Sequence, residues 1–145
     1  MQTKIKKDWH GRLKSIEELH NDYKLWISEI DFIKDEIRFL EYLLSSNYID
    51  ILDAGLSKKI DDLSKKIIDE KNIGYTLNKE IKYHKKIMSD LIETKSVTSN
   101  KNYLETHKNL EREIYIYLRK YKKLKKNIFE IVENIIRKKD QKKLL

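Results

Sequence analysis

Histidine and glutamate residues that lie one helical turn apart are the side chains in this sequence whose types and spacing could do chemistry. His84 is the least expected of them, because it interrupts a row of apolar residues around EIKYHKKI (80–87). Three such pairs occur: Glu17 with His20, Glu80 with His84, and His107 with Glu111. Imidazole and carboxylate together bind Zn(II), Fe(II) or Mn(II), and these spacings put both ligands on one helix face. A divalent-metal site is therefore one hypothesis for this chain.

Apolar residues recur at steps of three and four in three long stretches, which would form the helices that position these pairs. A repeat of 3.5 residues predicts helices that pack through heptad contacts, as in coiled coils. We call these stretches the heptad rows. They run Trp9, Ile16, Leu19, Tyr23, Trp26, Ile30, Ile33, Ile37, Leu40, Leu44; then Leu56, Ile60, Leu63, Ile67, Glu70, Gly74, Leu77, Ile81, His84, Met88, Leu91; then Tyr103, His107, Leu110, Ile114, Tyr117, Tyr121, Leu124, Ile128, Ile131, Ile135.

Two segments interrupt the heptad rows and mark the connections between helices. They are SSNYIDILDAG (45–55) and ETKSVTSNKN (93–102). The rows and their interruptions predict helices at about 8–46, 54–94 and 101–139.

Short polar residues in the two interruptions are candidates for helix N-caps. Asp50 or Asp53 could cap the second helix. Ser99 or Asn102 could cap the third, and Glu105 follows Asn102 at the spacing of a capping box.

The predicted fold is all-α: an elongated antiparallel three-helix bundle running up, down and up. Short connections make consecutive helices antiparallel. The length suits one domain, 1–145, which ends in a basic tail at 137–145.

An antiparallel arrangement predicts which residues face one another. With the first turn centred near residue 50 and the second near 97, His84 lies opposite Ile16 to His20 and near Glu111. All three pairs then fall at one level of the bundle. The candidate metal ligands are His20, Glu80, His84, His107 and Glu111. The alternative for His84 is an ordinary core histidine with a hydrogen-bond partner.

Two other residues in the second heptad row are unusual for a core. The same arithmetic places Gly74 opposite Trp26 and Tyr121, so we interpret Gly74 as the small half of a large–small packing pair. It places Glu70 near Lys125, which predicts an ion pair between them.

A second apolar stripe lies beside the first heptad row, at Leu25, Phe32 and Phe39. We expect the third helix to cover it, and any residue left open to pair with a second copy of the chain. Three residues of the third helix could close the core or form a dimer face: Tyr115, Phe129 and Ile136.

Composition narrows the function classes. The chain has no cysteine, which excludes disulfides and thiol catalysis and fits a reducing cytoplasm. No apolar run is long enough to span a membrane. No phosphate loop, nucleophile–base pair or cofactor motif is present. The net charge of +8 arises in residues 115–145, which hold 11 basic and 3 acidic side chains.

Two stretches resemble a known group of proteins. LHNDYKLWISEIDFIKDEIRFLEYLL (19–44) is similar to the first helix, and LNKEIKYHKKI (77–87) to the second helix, of a group of small uncharacterised bacterial all-helical proteins. The resemblance covers about the first two-thirds of the chain and implies a small cytosolic helical bundle. It implies no activity.

These observations favour a non-enzymatic cytoplasmic helical bundle that acts by interaction with a protein partner or with itself. The alternative is a bundle that binds zinc, iron or manganese between its three helices. A third hypothesis is weak nucleic-acid binding through phosphate contacts of the basic C-terminal helix.

Overall fold

The computed structural model describes residues 14–93 and 100–144. Within these ranges the regular structure is helical and no strand occurs, so the all-α prediction is confirmed. The helices are α1 (Ile16–Ser46), α2 (Tyr48–Asp53), α3 (Ser57–Glu93) and α4 (Lys101–Leu144). Among the described residues, none of the helices has the length and apolar character needed to cross a membrane.

A capping box begins α1. The Ser15 backbone N–H donates to Glu18 Oε1 at 2.9 Å, and the Glu18 N–H donates to Ser15 Oγ at 3.2 Å. This reciprocal pair satisfies two N–H groups that an uncapped helix leaves unbonded. The predicted start at residue 8 lies outside the described residues, and residues 14 and 15 are not helical.

The connection between α1 and α3 contains a helix where the sequence predicted only an interruption. Asp50 and Asp53 lie inside α2 and do not cap α3. Gly55 ends the turn with a φ of 77°, a conformation that glycine adopts without steric strain. The Leu56 N–H donates to the Ile51 carbonyl at 3.1 Å. The reversal of the chain is therefore near residues 54–56 rather than near residue 50.

Asn100 is the N-cap of α4. Its Oδ1 accepts a hydrogen bond from the Tyr103 backbone N–H at 2.9 Å. Asn102, one of the two predicted caps, lies within the helix, and Ser99 lies outside the described residues. The helix continues to Leu144, beyond the predicted end at residue 139.

Contacts divide the chain into two compact units. The first unit comprises the described parts of 1–29 and 76–114, and the second those of 30–75 and 115–145. Each of α1, α3 and α4 contributes residues to both units. The prediction of one domain over 1–145 stays a prediction.

Burial follows the heptad rows closely. In α1 every row member from Leu19 to Leu44 is buried, and in α4 every member from Tyr103 to Ile135 is buried. The row of α3 is buried from Ile60 to Met88, with Glu70 and His84 included. Ile16 departs from the pattern because it is 40% exposed, and Trp9 lies outside the described residues.

The second apolar stripe of α1 is not covered, which corrects the prediction that the third helix would cover it. Phe32 is 60% exposed and Phe39 50%, and Leu25 is also exposed. The stripe lies too far round the helix from the heptad row to reach the core that the row forms. Exposed apolar residues also occur on α4, at Tyr115, Ile116, Phe129 and Ile136.

Candidate functional site

His107 is the centre of a buried polar network in the first unit. Its Nε2 lies 2.8 Å from Asp22 Oδ2, and its Nδ1 lies 3.1 Å from Tyr23 Oη. An ionised carboxylate only accepts hydrogen bonds, so Nε2 carries the proton. Nδ1 is hydrogen-bonded to the Tyr23 hydroxyl. Both ring nitrogens of His107 are therefore engaged within the protein.

Two tyrosines extend this network. The hydroxyls of Tyr23 and Tyr103 are hydrogen-bonded to each other, and the Tyr103 hydroxyl also donates to the His84 carbonyl oxygen at 3.3 Å. Burial raises the pKa of Tyr23 well above its usual range and that of Tyr103 to about 12. Both phenols are therefore neutral near pH 7, and neither can act as a base.

His84 lies against the two tyrosines through ring contacts. Its ring stacks on that of Tyr103 with centroids 4.0 Å apart, and it meets the Tyr23 ring edge-on at 5.7 Å. The residue is 3% exposed, and no hydrogen-bond partner for its Nε2 occurs among the described residues. Burial, together with the nearby His107, lowers the pKa of His84 to about 4. His84 is thus a neutral core histidine with one unsatisfied nitrogen.

Lys14 neutralises the carboxylate side of the network. Its Nζ lies 2.7 Å from Asp22 Oδ2 and 3.1 Å from Glu111 Oε2. Burial by itself would raise the pKa of Asp22, but hydrogen bonds from His107 and Lys14 outweigh it and lower the pKa. Asp22 is therefore an ionised anchor for His107.

Of the five predicted metal ligands, His84 and His107 are brought together, with ring centroids 5.9 Å apart. The other three are placed differently. His20 is exposed on α1. Glu80 lies beside Glu113, and burial together with that second carboxyl raises the pKa of Glu80. Glu111 is paired with Lys14, as described above.

The five residues do not form the predicted ligand set. In the part of the chain that the structure describes, no group of three or more His, Cys, Asp or Glu side chains is placed to hold a metal ion. The shifted reversal of the chain between α1 and α3 explains this. His84 meets Tyr23 on α1 rather than the Ile16 to His20 segment.

A cavity of about 500 Å³ adjoins His84 in the first unit. Apolar, amide and hydroxyl groups predominate in its lining. The lining residues are Glu80, Tyr83, His84, Ile87, Leu91, Asn100, Asn102, Tyr103, Thr106 and Leu110.

Glu70 is the buried charge of the second unit. It is 4% exposed, and no hydrogen-bond partner for its Oε2 occurs among the described residues. Burial raises its pKa to about 7, against an opposing effect of Lys120. The predicted ion pair with Lys125 is wrong, because Lys125 Nζ lies 2.9 Å from Glu36 Oε1. Glu36 also accepts a hydrogen bond from the Tyr121 hydroxyl.

A second cavity, of about 480 Å³, has Glu70 in its lining. Lysine and asparagine side chains surround the carboxyl, with two aliphatic residues among them. The lining residues are Lys66, Asp69, Glu70, Asn72, Ile73, Lys120, Lys123, Leu124 and Asn127. We call this the Glu70 cavity.

Gly74 is the small half of a packing pair, but with a different partner from the predicted Trp26 and Tyr121. A Cβ added at Gly74 would lie 2.7 Å from Tyr117 Oη and 3.3 Å from its Cζ. The three nearest heavy atoms all belong to Tyr117. The absence of a side chain at residue 74 therefore makes room for the Tyr117 ring.

Sequence reasoning missed Asp22, Tyr23 and Tyr103 as members of the polar network. A signal was present, because Tyr23 and Tyr103 occupy heptad-row positions, and a buried tyrosine hydroxyl usually finds a hydrogen-bond partner. Asp22 precedes Tyr23 and had no such signal, since it lies beside the row.

The two buried centres differ in what they can do chemically. Among the described residues of the first centre, His84 Nε2 is the buried side-chain atom without a hydrogen-bond partner, and the bonds of the other members can order the core. The second presents a carboxyl group to a cavity lined by lysines. Comparison of the chain with protein-family models, with curated proteins and with solved structures finds no match in any of the three. The resemblance to small bacterial helical proteins stays a prediction.

Proposed function

We propose that the protein is a non-enzymatic interaction module that associates with a second copy of itself through its second unit. The observation that carries this proposal is a pair of exposed apolar stripes whose flanking charges are opposite. One stripe lies on α1 and the other on α4. Each stripe contains residues seven apart, the spacing of a helix–helix seam.

Within the second unit, the α1 stripe consists of Phe32 and Phe39 from the second apolar stripe together with Tyr42, and all three are at least half exposed. Acidic residues accompany it, including the exposed Asp31 and Asp35. The other two acidic residues of 30–46, Glu36 and Glu41, already pair within the chain with Lys125 and Lys71.

The α4 stripe consists of Tyr115, Phe129 and Ile136, which are also exposed. Cations accompany these rings: the Arg119 guanidinium lies 5.7 Å from the Tyr115 ring centroid, and Lys125 Nζ lies 5.9 Å from that of Phe129. A basic apolar stripe suits an acidic one, because opposite flanking charges favour this pairing over like pairing.

The exposed area is sufficient for a weak dimer. Six aromatic or aliphatic side chains that each expose roughly 100 Å² supply about 600 Å² per copy. If the α1 stripe of each copy contacts the α4 stripe of the other, the total is about 1,200 Å², the lower end for specific complexes. Closed two-fold pairing satisfies both stripes at once.

We also infer that the helices of the second unit run up, down and up, with heptad packing. Two ion pairs support the inference that α4 runs in the same direction as the segment formed by α1 and α2. Lys125 pairs with Glu36, and Lys139 pairs with Asp50. Both partners advance by 14 residues from one pair to the next.

Contacts between α3 and α4 support the opposite direction for α3. Glu70 is influenced by Lys120, and Gly74 packs on Tyr117. From the first of these contacts to the second, the residue number rises by four on α3 and falls by three on α4. Antiparallel helices produce this relation.

Sedimentation equilibrium over a range of protein concentrations tests self-association. The wild type should change from the 17.6 kDa chain towards twice that mass as concentration rises. The double variant Phe32→Asp with Phe39→Asp should remain monomeric. Tyr83→Asp, which alters an exposed aromatic residue of the first unit, is the matched control and should associate like the wild type.

Charge reversal tests which stripes meet. Lys122 and Lys126 are exposed lysines of α4 between Tyr115 and Phe129. Lys122→Glu with Lys126→Glu should weaken association, and so should Asp31→Lys with Asp35→Lys. Combining the four substitutions should restore it, because each contact is again between opposite charges. A wild type that stays monomeric at all concentrations, or a quadruple variant no better than either double variant, contradicts the proposal.

A further inference from the structure

Glu70 has the features of a ligand-binding group rather than of a core residue. It is a nearly fully buried carboxyl with an oxygen that lacks a hydrogen-bond partner among the described residues. Buried polar atoms without partners are rare in proteins and costly, and a bound molecule is one way to satisfy them. Glu70 also lies in the lining of a cavity. A ligand in the cavity that donates an N–H hydrogen bond to the Glu70 carboxyl group would supply a partner for it.

The rim of the Glu70 cavity favours a negative charge. Lys66, Lys120 and Lys123 contribute three cations, all exposed, and Asp69 is the acidic residue that joins Glu70 in the lining. Cations around a cavity raise the local concentration of anions and can contact phosphate directly. The ligand should therefore carry an anionic group as well as a hydrogen-bond donor.

The walls of the Glu70 cavity suit a flat, partly polar ring. Ile73 and Leu124 supply apolar surface, and the side-chain amides of Asn72 and Asn127 can both donate and accept hydrogen bonds. The volume of about 480 Å³ lies within the range of small-molecule sites.

We propose that the Glu70 cavity binds a guanine nucleoside monophosphate, with the base at Glu70 and the phosphate at the lysine rim. Guanine presents two neighbouring N–H donors on one edge, an arrangement that a carboxylate accepts well. The apolar wall contacts the face of the base. Donation from the base stabilises the ionised form of Glu70, which burial alone disfavours.

Isothermal titration calorimetry of the full chain with guanosine 5′-monophosphate at pH 8 tests this site. Glu70→Gln preserves the side-chain volume and removes the charge, and it should weaken binding at least tenfold. Lys120→Gln with Lys123→Gln should also weaken binding about tenfold. Lys108→Gln, an exposed lysine of the first unit, and Glu130→Gln, an exposed glutamate of α4, are the matched controls and should bind like the wild type.

Ligand variation separates the two ends of the site. Guanosine, which lacks the phosphate, and ribose 5-phosphate, which lacks the base, should each bind more weakly than the nucleotide. Adenosine 5′-monophosphate should bind about tenfold more weakly, because its base offers one amino group and no adjacent ring N–H. Circular dichroism of each variant checks that the fold is retained.

Three results would overturn the proposal. One is the absence of heat from guanosine 5′-monophosphate at millimolar concentration. Another is equal affinity of wild type and a folded Glu70→Gln variant. The third is equal affinity for ribose 5-phosphate and the nucleotide, which would reduce the site to an anion-binding rim.

Discussion

Two buried titratable residues oppose each other in their effect on stability. His84 has its pKa lowered to about 4, and Glu70 has its pKa raised to about 7. Between about pH 4.5 and 6.5 the unfolded chain binds more protons at the histidine and fewer at the glutamate than the folded chain does. The two contributions to the free energy of unfolding therefore have opposite slopes against pH, and replacing either residue should reveal the other.

A protein without His84 should lose less stability in acid than the wild type does. The unfolded histidine protonates below its ordinary pKa of 6.5, whereas the folded one stays neutral to about 4, so stability is lost as pH falls through this window. Relative to the wild type, the free energy of unfolding of His84→Leu should therefore increase by about 2 to 3 kcal/mol as the pH is lowered from 7.5 to 4. Urea unfolding at both pH values measures the difference, and His20→Gln controls for removal of an exposed histidine. A difference that does not change with pH would contradict the expectation.

A protein without Glu70 should lose less stability at raised pH than the wild type does. Its folded pKa is above the unfolded value of 4.5, so the stabilising effect is complete below pH 4.5 and is lost as pH rises through about 7. Relative to the wild type, the free energy of unfolding of Glu70→Gln should increase by about 2 to 3 kcal/mol as the pH is raised from 4.5 to 8. Thermal or urea unfolding across this range gives the result. Glu130→Gln, an exposed change on α4, is the control, and a parallel pH profile for Glu70→Gln and wild type would refute the prediction.

At the scale of helices, the contact between α3 and α4 depends on a missing side chain. Tyr117 is 2% exposed and its ring lies over Gly74. A glycine inside a helix costs about 1 kcal/mol relative to alanine. Its presence is therefore explained by packing against Tyr117 and not by helix propensity.

Gly74→Ala should destabilise the protein by about 1 kcal/mol in spite of its better helix propensity, because its Cβ would meet Tyr117 Oη at 2.7 Å. Gly74→Leu should cost about 1 to 3 kcal/mol. In a Tyr117→Phe background the nearest atom is gone, so Gly74→Ala should be neutral or stabilising by up to about 1 kcal/mol. Urea unfolding of the four proteins in this double-mutant cycle measures the coupling. Equal effects of Gly74→Ala in both backgrounds would show that Tyr117 is not responsible.

At the scale of the whole molecule, the distribution of polar groups predicts that metals do not stabilise the fold. His107 uses both ring nitrogens within the protein, and Glu111 is paired with Lys14. Neither residue is available as a ligand without breaking these bonds. The features that we propose for binding lie in the second unit instead: the two exposed apolar stripes and the Glu70 cavity.

Zn(II) or Fe(II) should therefore leave the melting temperature of the wild type unchanged, as should EDTA. A ligand that binds only the folded state raises the melting temperature, so scanning calorimetry with and without each metal is sufficient. His84→Leu serves as the comparison. Stabilisation of the wild type by metal that is absent in His84→Leu would restore the metal hypothesis.

The three long helices and their buried faces could be predicted from the sequence alone. The heptad rows predicted nearly every buried residue of α1, α3 and α4, because a repeat of 3.5 residues keeps one side of a helix in contact with its neighbours. The unusual nature of His84, Gly74 and Glu70 was also visible, since each interrupts a row that otherwise contains apolar residues. These inferences are local, and local periodicity is what a sequence records directly.

Which residues meet across the helices could not be predicted from the sequence and depends on the tertiary structure. The connection from α1 to α3 contains α2, and this moves the reversal of the chain by about one helical turn. A shift of that size changes the partner of every residue on the facing helix. It gave His84 the partner Tyr23, and His20 is exposed on α1. Lys125 lies on Glu36 and not on Glu70, whose Oε2 has no hydrogen-bond partner among the described residues. This placement likewise depends on the relative rotation of the helices, and no spacing within a single helix specifies that rotation.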